Sequence, residues 1–142
     1  MTGNYQYAKD YLSQAFRLDS RINAKIAQLE SCRDLATKVT GTISGMPKNP
    51  NHLHVDDFIS KAIDLEAEVA AELDELITLK GEINQVIKRV SNLDCRYLLE
   101  LRYLCMKKWE VLAIDLSVNL RHAHQIHVKA LGEVDAILRA SQ

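Results

Sequence analysis

Between Gly3 and Gly41 the chain has neither glycine nor proline, and both of its prolines, Pro47 and Pro50, fall in one short stretch. A chain punctuated so thinly cannot supply the turn every roughly 8–12 residues that an all-β fold requires. What fills the unpunctuated stretches is helix-forming: the sequence holds 19 Leu and 14 Ala, while aromatics are only 6%. Over the first stretch, apolar residues recur at Tyr11, Ala15, Leu18, Ile22, Ile26, Leu29, Cys32, Ala36 and Val39. Steps of three and four mark one face of a helix. The opposite face carries Lys9, Arg17, Arg21, Lys25, Arg33 and Lys38.

Residues 41–54, rich in Gly, Pro and Asn, are expected to form a loop, because Pro47 blocks helix continuation. Helical periodicity resumes from about Val55 to Val90, with Asp56 and Asp57 suited to the positive end of a helix dipole. Its apolar positions are Ile59, Ala62, Ile63, Val69, Ala70, Leu73, Leu76, Ile77, Ile83, Val86, Ile87 and Val90. Gly81 costs this helix roughly 1 kcal/mol relative to Ala. At about 1.5 Å per residue each helix spans roughly 55 Å, and two such lengths joined by one loop predict an antiparallel hairpin of coiled-coil type.

Charge sharpens that expectation. The net charge of −1 is uneven: residues 1–48 hold 7 basic and 4 acidic side chains, residues 49–94 hold 4 and 10, and residues 95–142 hold 7 and 5. A basic first helix and an acidic second one can pair across the seam and disfavour like-with-like pairing. The acidic face of Asp64, Glu66, Glu68, Glu72, Asp74, Glu75 and Glu82 reads as solvated or partner-pairing, not catalytic.

Ser91-Asn92-Leu93-Asp94 breaks the rhythm, with Asp94 a candidate N-cap. Three shorter helices are predicted beyond it: about Cys95–Met106 with Tyr97, Leu98, Leu101 and Leu104 inward, Trp109–Leu116, and one after Asn119 reaching about Leu138. Residues 109–128 have helix-turn-helix spacing. Ala113 supplies the small residue at the crossing, Leu116 closes the first helix, and Val118 and Ile126 make the second set of contacts. Ser117 stands where glycine is usual, so the pattern alone does not assure a left-handed turn there. Ala123 replaces a usual β-branched residue, which predicts looser packing. With Ala123, Ile126 and Ala130 inward, Arg121, His122, His124, Gln125 and Lys129 point sideways or outward, and no acid occurs from Leu120 to Gly132. Arg and Gln read base edges in a major groove, and Lys and Arg neutralise phosphates. Lys107 and Lys108, before the second helix, and Asn119, at the N-cap of the third, complete the candidate DNA-binding set.

The fold class expected is therefore all-α: a long helical hairpin over residues 1–92, serving oligomerisation or partner binding, then a three-helix helix-turn-helix unit over 93–142. The segments L-L-E-L-R-Y-L, K-x-W-E-x-L-A-x-x-L and R-H-x-H-x-I-H-x-x-A-L within 98–131 resemble region four of bacterial sigma factors. They look still more like the sigma-region-four-like tail of ArpU/RinA-like late-gene regulators of Gram-positive phages and prophages and their uncharacterised relatives. Residues 8–25 and 36–47 are similar to the N-terminal half of that family. The resemblance implies a phage or prophage DNA-binding transcription regulator.

Other signals are weaker. His122 and His124 lie about 200° apart on a helix and cannot share one ion; His124 and His127 could, but no Cys or carboxylate is nearby in sequence, so no metal site is expected. Trp109 reads as a core anchor more than a stacking residue. Cys32, Cys95 and Cys105 form no paired motif and read as reduced thiols. No phosphate-binding glycine loop or nucleophile context occurs, so neither an enzyme nor a cofactor is expected. No apolar run long enough to span a membrane and no signal-peptide core is present. The expected setting is the cytoplasm of a bacterial host. Expected partners are DNA, further copies in a dimer or tetramer, and RNA polymerase through the hairpin. Two rival readings are a phage small terminase subunit, which would form rings, and a protein-binding adaptor without DNA contact.

Overall fold

The structure, a computed structural model, describes residues 5–43 and 52–141. Among them every regular element is helical: α1 (Gln6–Ile43), α2 (His52–Lys88), α3 (Leu93–Leu99), a π-helical turn (Glu100–Leu104), α4 (Trp109–Leu116) and α5 (Leu120–Ala140). The fold is the all-α hairpin followed by a helical unit that the periodicity predicts. Helix extends further into the Gly/Pro-rich stretch than expected. Residues 41–43 still belong to α1 and 52–54 already belong to α2, while 44–51 lie outside the described residues. Asp56 and Asp57 are consequently inside α2 and not at its start.

Residues 18–75 form one compact unit. There α1 and α2 run antiparallel: Leu29 and Cys32 bury against Ala62 and Leu65, while Arg33 pairs with Glu66. The acidic helix does meet basic partners, and Glu72 is partner-pairing, one of the two readings of that face. It is buried in the seam, where its Oε1 accepts from Arg21 at 2.7 Å and Lys25 at 2.9 Å. The hydrogen bond from Lys25, with the two positive charges, holds its carboxyl below the usual carboxylate range against an opposing desolvation effect. The stripe expected along α2 is too wide. Ala62, Val69 and Leu76 are buried, with Leu65, which the stripe omits, but Ile59, Ile63, Leu73 and Ile77 face outward. A single partner helix covers only a narrow arc of a neighbour.

The second compact unit joins residues 76–141 to the first part of α1, up to Arg17. The division therefore does not fall at residues 92 and 93. The reason is packing: Phe16 meets Tyr103 edge-on with ring centroids 5.9 Å apart, and the Tyr5 ring lies so close to Gly132 that a Cβ there would stand 3.3 Å from it. The α3–α5 helices thus bury apolar surface against α1 residues far away in sequence.

Within this unit, two expectations about residues 93–106 need correction. Asn92, not Asp94, caps α3, its side-chain oxygen accepting the Cys95 N–H at 3.0 Å; Asp94 sits in the first turn. The helix expected to reach Met106 instead loosens into the π-helical turn, where Cys105 N–H reaches back to the Glu100 carbonyl at 2.9 Å. A π-turn adds a residue to the helical phase. It brings Tyr103 into the core; Tyr97, in α3 before the turn, is exposed and not inward as expected, while Leu98 and Leu101 are buried as predicted. Met106 then leaves the helix with φ 57°.

Candidate nucleic-acid interface

The helix-turn-helix frame is built from the residues its spacing singles out. Ala113 is buried at the crossing, together with Leu98, Leu101, Leu112 and Ala123, and Leu116, Val118, Ile126 and Trp109 pack against this cluster. Ala123 is fully buried, so the missing β-branch leaves no exposed gap. Ser117 does adopt the left-handed conformation, with φ 60° and ψ 39°, and its N–H returns to the end of α4. That conformation costs a non-glycine residue roughly 1 kcal/mol. Ser117→Gly is therefore expected to raise unfolding stability by up to about 1 kcal/mol in urea melts, less the extra entropy glycine brings to the unfolded chain.

Asn119 starts α5 as its N-cap: its Oδ1 accepts the His122 N–H at 2.7 Å. Its side chain thus fixes where the helix begins and which backbone N–H groups stay open. Beyond it, Arg121, His122, His124, Gln125 and Lys129 are all exposed. They do not form one face. At 100° per residue Arg121 and Gln125 lie outermost. His122 and Lys129 share one flank with Gln125, lining a cleft of about 230 Å³ bordered by Asn92, Asp94 and Cys95. His124 lies on the other flank, its ring centroid 4.2 Å from that of Trp109. The first flank also has an acidic neighbour: burial, then Glu133, push the Cys95 thiol up to about 11, with Lys129 opposing. Of the two lysines before α4, Lys108 is exposed, whereas Lys107 donates to Asp115 at 2.7 Å, which raises its ammonium pKa. Part of its charge is thus spent on a carboxylate of the same helix pair.

The third histidine turns inward. His127 is buried, and its Nε2 lies 2.7 Å from the Tyr103 hydroxyl, with one group donating and the other accepting. Trp109 meets it edge-on at 4.9 Å, so the indole is a core contact on one side and a ring platform for His124 on the other. Burial, followed by Lys9, His124 and Arg102, pushes the His127 pKa down to about 4. Lys9, read from sequence only as part of a basic helix face, and Arg102 and Tyr103 are absent from the candidate site set. No local spacing links residue 9 to residue 127, and the π-turn that aims Tyr103 inward breaks the period that would reveal it.

Compared with known proteins, the chain matches no family model, no curated protein and no solved structure.

Proposed function

We propose that the protein is a phage- or prophage-type DNA-binding transcription regulator, reading DNA with α5 and oligomerising through its helical hairpin. One observation carries this reading: a helix-turn-helix frame with a capped second helix whose outer side, Arg121, Gln125 and Lys129 with His122, is exposed and has no acid from residue 120 to 132. Such a helix can enter a major groove, with its N-terminal residues toward base edges and Lys108 toward the backbone. The sigma-region-four-like segments support the same reading and make RNA polymerase a further proposed partner. Among the described residues no helix is long and apolar enough to cross a membrane.

A gel shift at two salt concentrations tests it. Binding is expected at about 50 mM salt and is expected to weaken steeply toward about 200 mM as phosphate contacts are screened. Arg121→Ala with Lys129→Ala should weaken it about tenfold or more. A folded protein that shifts no DNA at the lower salt overturns the reading. Its mass in solution separates a regulator, expected as a dimer or tetramer, from a ring-forming packaging subunit.

The adaptor reading has one observation of its own. Val111 and Ile114 on α4 are exposed, Ile114 to 75%, and an apolar patch on a helix-turn-helix unit suits a protein partner. On that reading the Arg121/Lys129 double substitution leaves biological activity intact.

A further inference from the structure

A cleft of about 320 Å³ opens behind the helix-turn-helix, within the compact unit that contains it. Lys9, Phe16 and Arg17 of α1 line one side, Arg102 another, and Trp109 and His124 a third. No carboxylate is among its lining residues. Three permanent cations therefore converge on one cavity without a counter-ion from its walls. Arg102 is held in place: its guanidinium carbon sits 4.7 Å from the Phe16 ring centre and 5.1 Å from that of Trp109, and its Nη1 donates to the Lys107 carbonyl at 2.9 Å. Lys9 and Arg17 are exposed at the rim. A positive, aromatic-walled cavity of this size is at the lower end of what small-molecule sites occupy. Its volume suits a ring with one acidic group.

We propose that this cleft binds a small planar organic anion, an aromatic ring bearing a carboxylate or a phosphate. Lys9 and Arg17 meet the acidic group at the rim, Arg102 supports it from within, and the Phe16 and Trp109 rings provide flat apolar walls. The occupant touches the first residue of α4 and His124 of α5, so it contacts both helices of the helix-turn-helix. The site itself does not depend on DNA binding, and its failure leaves the regulator reading standing.

Trp109 is the chain's single tryptophan and lines this cleft, so in the folded protein its emission responds to an occupant. The full chain is titrated with phenyl phosphate, benzoate, inorganic phosphate and benzyl alcohol. A saturable emission change is expected with phenyl phosphate or benzoate, at least about tenfold tighter than with inorganic phosphate or benzyl alcohol. Which of the two binds tells a phosphate ligand from a carboxylate one. Lys9→Gln and Arg17→Gln, both at exposed positions, should each weaken binding about tenfold with unchanged circular dichroism, while Lys88→Gln should not. A bound anion should also raise the His127 pKa in a histidine NMR titration. The proposal is overturned if neither probe saturates, if inorganic phosphate binds as tightly, or if Lys9→Gln and Arg17→Gln bind like wild type.

Discussion

Lowering the pH from 7 to 5 is expected to destabilise the compact unit that carries the helix-turn-helix by about 2 kcal/mol through His127 alone. The folded pKa of this buried ring is about 4, against 6.5 for an unperturbed one. The unfolded chain therefore takes up a proton near pH 6.5 that the folded chain refuses until near pH 4. Stability from the neutral ring is complete above pH 6.5 and falls steadily between those two values. The groups that oppose protonation come from every side: Lys9 from α1, Arg102 from the π-helical turn and His124 from α5 itself. Burial adds the largest effect. Urea melts followed by Trp109 emission at pH 7 and pH 5 measure the difference, because the indole packs edge-on against the His127 ring. His127→Gln should lower stability at pH 7, through lost packing, and flatten the slope between pH 6.5 and pH 5. A variant with the parent's slope would show that His127 is not the group responsible.

The second large effect concerns association. Ile59, Ile63, Leu73 and Ile77 are 48, 60, 41 and 69% exposed and lie on one side of α2 at helical steps, with Ala70 between them. Under the proposed regulator reading, this is the surface through which copies pair, and dimers place two recognition helices on two half-sites. Ile63→Glu with Ile77→Glu puts charge onto that surface while leaving the buried Ala62, Leu65, Val69 and Leu76 untouched. The variant is expected to stay helical, to become monomeric by light scattering, and to lose about a hundredfold or more in DNA affinity, because the second half-site contact is no longer intramolecular. A parent chain already monomeric at tens of micromolar, or a variant that still associates, would place the interface elsewhere.

These two predictions differ in how far sequence alone reaches them. The α2 stripe was visible as apolar periodicity, but the sequence pattern merges the part that faces α1 with the part that faces outward. Only the direction of the single partner helix separates Ala62 and Val69 from Ile63 and Ile77, and adds Leu65, which the stripe omits. Glu72 shows a related limit. Charge alone predicts that the acidic helix pairs with the basic one, but not that Glu72 is the acid buried between Arg21 and Lys25 of α1. Which long-range partners meet leaves no mark in local spacing.

The candidate DNA-reading surface was legible in part. Ala113, Leu116, Val118 and Ile126 occupy their expected positions, and Asn119 caps α5, since apolar spacing and capping are local properties of the chain. The two flanks follow from helical angles, but what borders each was not legible, nor was the engagement of Lys107 by Asp115. Both depend on which neighbours α3 and α4 bring alongside.

Sequence by itself determined the helical class, the two long helices, the turn from α4 into α5 and the acid-free outer side of α5, because each follows from residue spacing of three or four along one helix. Tertiary structure alone decided that the first turns of α1 share a compact unit with the C-terminal helices, that Tyr103 and His127 form a buried pair, and that Lys9, Arg17 and Arg102 surround one cleft. The physical reason is the same in each case. Contacts between residues 24 or more positions apart are set by how amphipathic faces bury against each other, and the π-helical turn at residues 100–104 shifts the phase that would otherwise have announced which side chains those faces present.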